Sequence, residues 1–149
     1  MKALLLILLT TFFSSIAFTQ QEDAVIKDIL QKETTAFFNH DFKTSYSYWY
    51  IKPQSLAIVS ESDGKVLQLT SKELNAIYTA SSLKTAVFPK EFKRSDWRFQ
   101  IKGDAAYVTF EQTASSDNEM IGRTYESRYL EKINGQWKII SMTVVNFKK

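Results

Sequence analysis

The stretch that decides the fold is Thr124–Phe147, TYESRYLEKINGQWKIISMTVVNF. Asn134-Gly135 divides it into two runs rich in aromatic and β-branched residues. Asn-Gly supplies the left-handed backbone that a two-residue hairpin turn needs, and the flanking residue types favour pleated strands. If these two residues are the whole turn, one face of the hairpin holds Trp137, Leu130 and Ile139, then Arg128 with Ser141 and Glu126 with Thr143. The other face holds Glu131 and Lys138 at the tip, then Tyr129, Ile140, Ser127, Met142, Tyr125 and Val144. Successive side chains alternate across a strand, so a one-residue bulge would swap every assignment beyond it. Both faces carry apolar surface, and helices can cover only one of them. The second face, Tyr125, Tyr129, Ile140, Met142 and Val144, is therefore expected to meet a second copy of the chain in a homodimer.

An earlier hairpin precedes this one. Gly103-Asp104 joins Asp96–Lys102 to Ala105–Gln112. A two-residue turn there sets Ile101 against Ala106, Phe99 against Val108 and Trp97 against Phe110, a wholly apolar face. The opposite face carries Arg98, Gln100, Tyr107, Thr109 and Glu111. Thr113–Gly122 is polar and reads as a loop.

The first half of the chain reads as helices around one further strand pair. Residues 22–38 place Val25, Ile26, Ile29, Leu30, Phe37 and Phe38 at helical spacing, with Glu22, Asp23, Lys27, Asp28, Gln31 and Lys32 on the other face. Asn39-His40-Asp41 breaks that pattern, and Asp41 is placed to cap a second helix reaching Trp49. Ser55–Ser60 and Lys65–Thr70 read as short strands around Ser62-Asp63-Gly64. Thr70-Ser71-Lys72-Glu73 is a capping-box sequence that opens a third helix with Leu74, Ile77, Tyr78 and Ser81 on one side.

Ahead of this lies an export signal. Lys2 is a short basic region, Ala3–Leu9 is almost pure Leu, Ile and Ala, and small residues follow before polar sequence begins at Gln20. The apolar run is too short for a span of about 20 residues. Cleavage is expected after Ala17 or Thr19. Residues 1–19 are then the signal peptide and 20–149 one domain, free of the membrane and periplasmic or secreted. That length supports a single core. Losing Lys2 lowers the formal net charge of +3 by one, and the lysines are interspersed with acids, so no nucleic-acid stripe forms. The chain has no cysteine, which excludes disulfides, thiol nucleophiles and thiolate metal sites.

The order helix, helix, two strands, helix, four strands resembles the nuclear transport factor 2-like, or SnoaL-like, superfamily. The most specific pieces are Tyr125-Glu126-Ser127-Arg128-Tyr129-Leu130-Glu131-Lys132 and Asn134-Gly135-Gln136-Trp137-Lys138-Ile139-Ile140, together with Phe37-Phe38, Asp41 and Trp49 at the opening. The resemblance implies an α+β cone. Three N-terminal helices pack on a curved, mixed or antiparallel sheet of about six strands, with a pocket at the wide end and dimers through the outer sheet face. It does not imply an activity, because members include isomerases, dehydratases, cyclases and association domains.

Chemistry is sparse. His40 is the single histidine, too few for a zinc site, and it reads as a loop residue beside a cap. The dehydratase branch looks as if it needs two pocket histidines, and the tyrosine and acid roles of the isomerase branch have no match residue by residue. Glu126 and Arg128 stand two apart on one strand face, where they form an ion pair or orient a polar ligand. Asp41, Tyr46, Trp49 and Trp97 are the other candidate ligand-binding residues. No cofactor or metal is expected. The reading is a non-catalytic binding module for a small apolar or amphipathic ligand or a protein partner. The alternatives are a cofactor-free isomerase or dehydratase using Glu126, Asp41 or Glu111, and a self-association domain.

Overall fold

A computed structural model describes residues 21–147 apart from 62 and 118. The expected export leader, residues 1–19, lies outside the described residues.

The first helix, α1, spans 21–38. It buries Ile26 and Leu30 completely, as its apolar stripe requires. The second helix, α2, is Phe42–Ser47, with Asp41 accepting from the Thr44 N–H at 3.1 Å. It stops short of Trp49 because the backbone there is claimed by the sheet. Tyr50 N–H donates to Ile139 O at 3.0 Å, and Ile139 N–H donates to Tyr48 O at 2.9 Å. Two short strands follow, β1 Leu56–Ser60 and β2 Val66–Thr70, and then helix α3, Ser71–Ile77. The Glu73 carboxylate accepts from Thr70 N–H at 2.8 Å and Thr70 Oγ1 at 2.7 Å, closing the expected capping box. A 3-10 turn at Ser81–Thr85 leads to four long strands: β3 Glu91–Lys102, β4 Ala105–Ser116, β5 Glu119–Ile133 and β6 Gln136–Asn146.

The six strands form one sheet in the order β2-β1-β6-β5-β4-β3. Neighbours are antiparallel except β1 and β6, which run parallel. Leu130, Trp137 and Ile139 meet Ile26 and Leu30 in one core with Val108 and Phe110. The α+β architecture, helices on a mixed six-stranded sheet, is the one the sequence leads to expect.

Three local features differ from that expectation. The polar segment Thr113–Gly122 is a continuation of β4 and β5, and the chain reverses at Asp117 with a left-handed φ of 54°. Ladder hydrogen bonds need no apolar side chains, so a strand with one face in solvent and one lining a cavity reads as loop. Strand β3 begins five residues earlier than Asp96. Asp96, with φ 54°, marks a bulge between Ser95 and Arg98, beyond which Phe99 faces Val108 and Ile101 faces Ala106 as the turn requires.

The third difference corrects the expected dimer face. Leu130 pairs with Ile139, but Tyr129 pairs with Ser141, so Ile140 is an extra residue on β6. Beyond this bulge Arg128 faces Met142 and Glu126 faces Val144. Met142 and Val144 therefore belong to the inner face, and Ile140 is itself buried. Of the five residues expected there, only Tyr125 and Tyr129 keep the register of the outer face, opposite Val145 and Ser141.

Candidate functional site

The inner face of the sheet and α1 line a cavity of about 410 Å³ that is open to solvent on one side. Each strand contributes alternate residues, as the pleat dictates. Strand β5 presents Gly122, Thr124, Glu126 and Arg128; β4 presents Gln112 and Ala114; β6 presents Met142, Val144 and Asn146; β1 presents Val59. Helix α1 closes the top with Glu33, Thr34, Phe37 and Phe38, and Trp49, Tyr78 and Pro89 complete the wall. Most of this surface is apolar. At Gly122 the missing side chain leaves room, because nothing lies within 4 Å of where a Cβ would stand.

The polar groups gather at one level. Glu33 stands in the middle of the α1 apolar stripe, seven residues after Ile26 and four before Phe37. Its Oε1 accepts from Ser45 Oγ at 3.1 Å, Trp49 Nε1 at 3.0 Å and Tyr78 Oη at 3.4 Å, and its Oε2 from Thr34 Oγ1 at 3.0 Å. Thr34 in turn accepts from Arg94 Nη2 at 2.6 Å, and Arg94 Nε donates to Gln112 Oε1 at 2.9 Å. One hydrogen-bonded chain thus runs from β4 through β3 and α1 to the end of α3. Beside it Arg128 Nη2 donates to Glu126 Oε2 at 2.6 Å, with the two side chains 5% and 3% exposed. Thr124 Oγ1 donates to Glu126 Oε1 at 2.8 Å.

The charges of this quartet balance, yet they are not matched pairwise. Among the described residues Arg128 has Glu126, whereas Arg94 donates only to neutral partners and Glu33 receives only neutral donors. Burial pushes the Arg94 guanidinium down to about 10, with the Arg128 charge adding to the effect and Glu126 and Glu33 opposing it. The sign of its pH effect follows. Arg94 is charged in both folded and unfolded chains at neutral pH, so its burial penalty is constant there. Stability gains from it only as pH rises through about 10 and the folded chain gives up the proton first. Burial also raises the Tyr78 hydroxyl well above its ordinary value, reinforced by the Glu33 charge, so it remains a donor. Two guanidinium nitrogens, Arg94 Nη1 and Arg128 Nε, are buried without an acceptor among the described residues.

Of the residues singled out from the sequence, Trp49, Glu126 and Arg128 line the cavity. Asp41, Tyr46 and Trp97 do not. Asp41 is the α2 cap, and the hydrogen bonds it accepts from Thr44 hold its carboxyl below the usual range. Tyr46 donates outward to Asn75 Oδ1 at 2.6 Å. Trp97 stacks on Phe99 and leans on Phe110, with ring centroids 5.8 and 4.6 Å away. Glu111 pairs with Arg123 away from the cavity. His40 packs on Phe42 and Phe88 and its Nε2 lies 2.9 Å from Ala86 O, outside the cavity wall. Glu33, Arg94 and Tyr78 complete the polar level without having been singled out by pattern. A carboxylate at i+3, i+4 and i+7 from Leu30, Ile29 and Ile26 is the available signal for Glu33.

No known family profile and no curated protein matches this sequence. Solved structures do share its architecture. A nuclear transport factor 2-like protein from Cytophaga hutchinsonii superposes with a TM-score of 0.62 at 19% identity, covering 84% of this chain and 98% of that one. One of unknown function from Pseudomonas putida gives 0.67 at 13% identity, covering 85% and 87%. A cystatin-like protein of unknown function from Nostoc punctiforme gives 0.65 at 16% identity, covering 84% and 90%. The chain therefore has the nuclear transport factor 2-like, cystatin-like fold, as its sequence resemblance implies. At these identities the likeness is one of fold and carries no activity with it.

Proposed function

We propose that this protein is a non-catalytic binding module that holds a small amphipathic molecule in the cavity beneath α1, in the periplasm or outside the cell. One observation carries the reading. The cavity is large enough for a small ligand and mostly apolar, while both of its carboxylates are engaged by protein donors. Glu33 accepts from four donors and Glu126 from two. A carboxylate so occupied orients its neighbours and is poorly placed to take a proton from a substrate.

Gly122 provides the test. Its side chain would point inward with Thr124 and Glu126, it meets no atom within 4 Å, and its φ is not positive. Gly122→Phe should therefore fill the cavity without strain. Stability should hold or rise by up to about 1 kcal/mol, because glycine weakens a strand. Uptake of the neutral apolar dye N-phenyl-1-naphthylamine, followed by fluorescence, should fall at least about tenfold, the equivalent of about 1.4 kcal/mol. Equal uptake by a folded Gly122→Phe variant would remove the cavity from the binding account.

A further inference from the structure

We infer that the ligand of this cavity presents a carboxylate, the end group of a monocarboxylic acid with an apolar body, to the donors of Gln112, Tyr78 and Arg128. The inference rests on the binding reading above and names the chemistry of the bound molecule.

The argument is a count of donors against acceptors around the polar level of the cavity. Every carboxylate oxygen there is already occupied. Glu33 Oε1 takes three donors and Oε2 one, and Glu126 takes Thr124 on one oxygen and Arg128 on the other. An incoming ammonium or hydroxyl donor would have to share an oxygen that a protein donor already holds. Donors, in contrast, remain. Gln112 gives its oxygen to Arg94 Nε, which fixes the orientation of the amide and leaves the NH₂ prong to the cavity. Tyr78 Oη reaches Glu33 at only 3.4 Å, on an oxygen already held by Ser45 and Trp49 at 3.1 and 3.0 Å. That is far longer than a good O–H···O bond, so the hydroxyl is available for a better acceptor. Arg128 lines the cavity 5% exposed. Its Nη1 and Nη2 hold Ser127 O and Glu126, so it offers a ligand its charge and the second N–H that each of these nitrogens carries.

Two further facts favour a carboxylate over a neutral carbonyl. A carboxylate offers two oxygens, enough for donors from three residues. It also brings a negative charge toward Arg94, which among the described residues donates to the neutral cavity-lining Thr34 and Gln112. Phe37, Phe38, Val144 and Met142 form an apolar seat for the body of the ligand.

The experiment is displacement of bound N-phenyl-1-naphthylamine at neutral pH by decanoate, decanol and decylamine, which share one chain and differ in head group. Decanoate should compete at least about tenfold better than decanol, and decylamine worst. Tyr78→Phe and Gln112→Leu, both close in shape to the wild type, should each weaken decanoate several-fold more than decanol and so bring the two together. Gly122→Phe should abolish competition by all three. Equal competition by decanoate and decanol in the wild type overturns the carboxylate and leaves the binding reading standing. Decanoate bound equally by Gly122→Phe overturns it as surface attraction. Failure of the dye and all three probes to bind the wild type overturns both.

Discussion

Glu33→Leu should unfold at a much lower urea concentration than the wild type, with a loss of about 3–5 kcal/mol. Ser45, Trp49, Tyr78 and Thr34 all donate to this one carboxylate, and Ser45 is fully buried with Trp49 nearly so. Leucine matches the apolar stripe of α1 and so looks favourable by helix pattern alone. It nevertheless leaves several buried donors without an acceptor and leaves Arg94 and Arg128 facing a single remaining carboxylate, Glu126. A domain of this size holds about 5–15 kcal/mol in total, so a large share of its stability is at stake. Glu33→Gln separates charge from hydrogen bonding. Its oxygen can still accept from Ser45, Trp49 and Tyr78, and the loss should be nearer 1–2 kcal/mol, about the range of ordinary hydrogen bonds. Lys32→Ala, on the exposed face of the same helix turn, should change stability by less than about 0.5 kcal/mol. Wild-type stability in Glu33→Leu would show that the hydrogen-bonded chain does not hold the wall in place.

The same residue shows where sequence reading succeeds and where it stops. The closing hairpin is legible because Asn134-Gly135 demands a tight turn and Leu130, Trp137 and Ile139 then fall on one face, where the core is found. Helix α1 is legible because Ile26, Ile29 and Leu30 repeat at its period. Glu33 breaks that repeat, and a charge inside an apolar stripe is visible in the sequence itself. What it bonds to is not visible. Its donors come from α2, from Trp49 and from the end of α3, and Arg94 joins Thr34 across a separation of 60 residues. The bulge at Ile140 is hidden for a different reason. Ile139 and Ile140 are equally apolar and both are buried, so composition cannot tell which one is the extra residue. That single residue moves Met142 and Val144 from the outer face to the cavity wall. Strand ends at Glu91–Ser95 and Thr113–Ser116 are hidden because polar residues facing a cavity or solvent look like loop.

Phe110→Ala should cost about 3–5 kcal/mol, at the upper end for a buried aromatic. The ring is fully buried, 4.6 Å from Trp97, and it also forms the apolar partner of both guanidinium groups, with Arg94 Cζ 4.4 Å and Arg128 Cζ 5.6 Å from its centroid. Removing it opens a void next to two buried cations, so the loss combines missing contacts with poorer surroundings for charge. Phe110→Leu keeps most of the volume and should cost less, about 1–2 kcal/mol. The part due to charge is isolated by a double-mutant cycle between Phe110→Leu and Arg94→Met. A coupling of about 0.5–2 kcal/mol is expected if the ring stabilises the cation. Arg94→Met alone sets the penalty of burying a guanidinium with no directly bonded carboxylate against the loss of its bonds to Thr34 and Gln112 and of its attraction to Glu33 and Glu126, so the sign of the change reports which is larger. A stabilising Arg94→Met with lost ligand preference would mean that Arg94 is retained for what enters the cavity, at the expense of the fold. A strongly destabilising one would mean that Thr34 and Gln112 depend on it, and the polar level would then be chiefly a structural tie between α1 and the sheet.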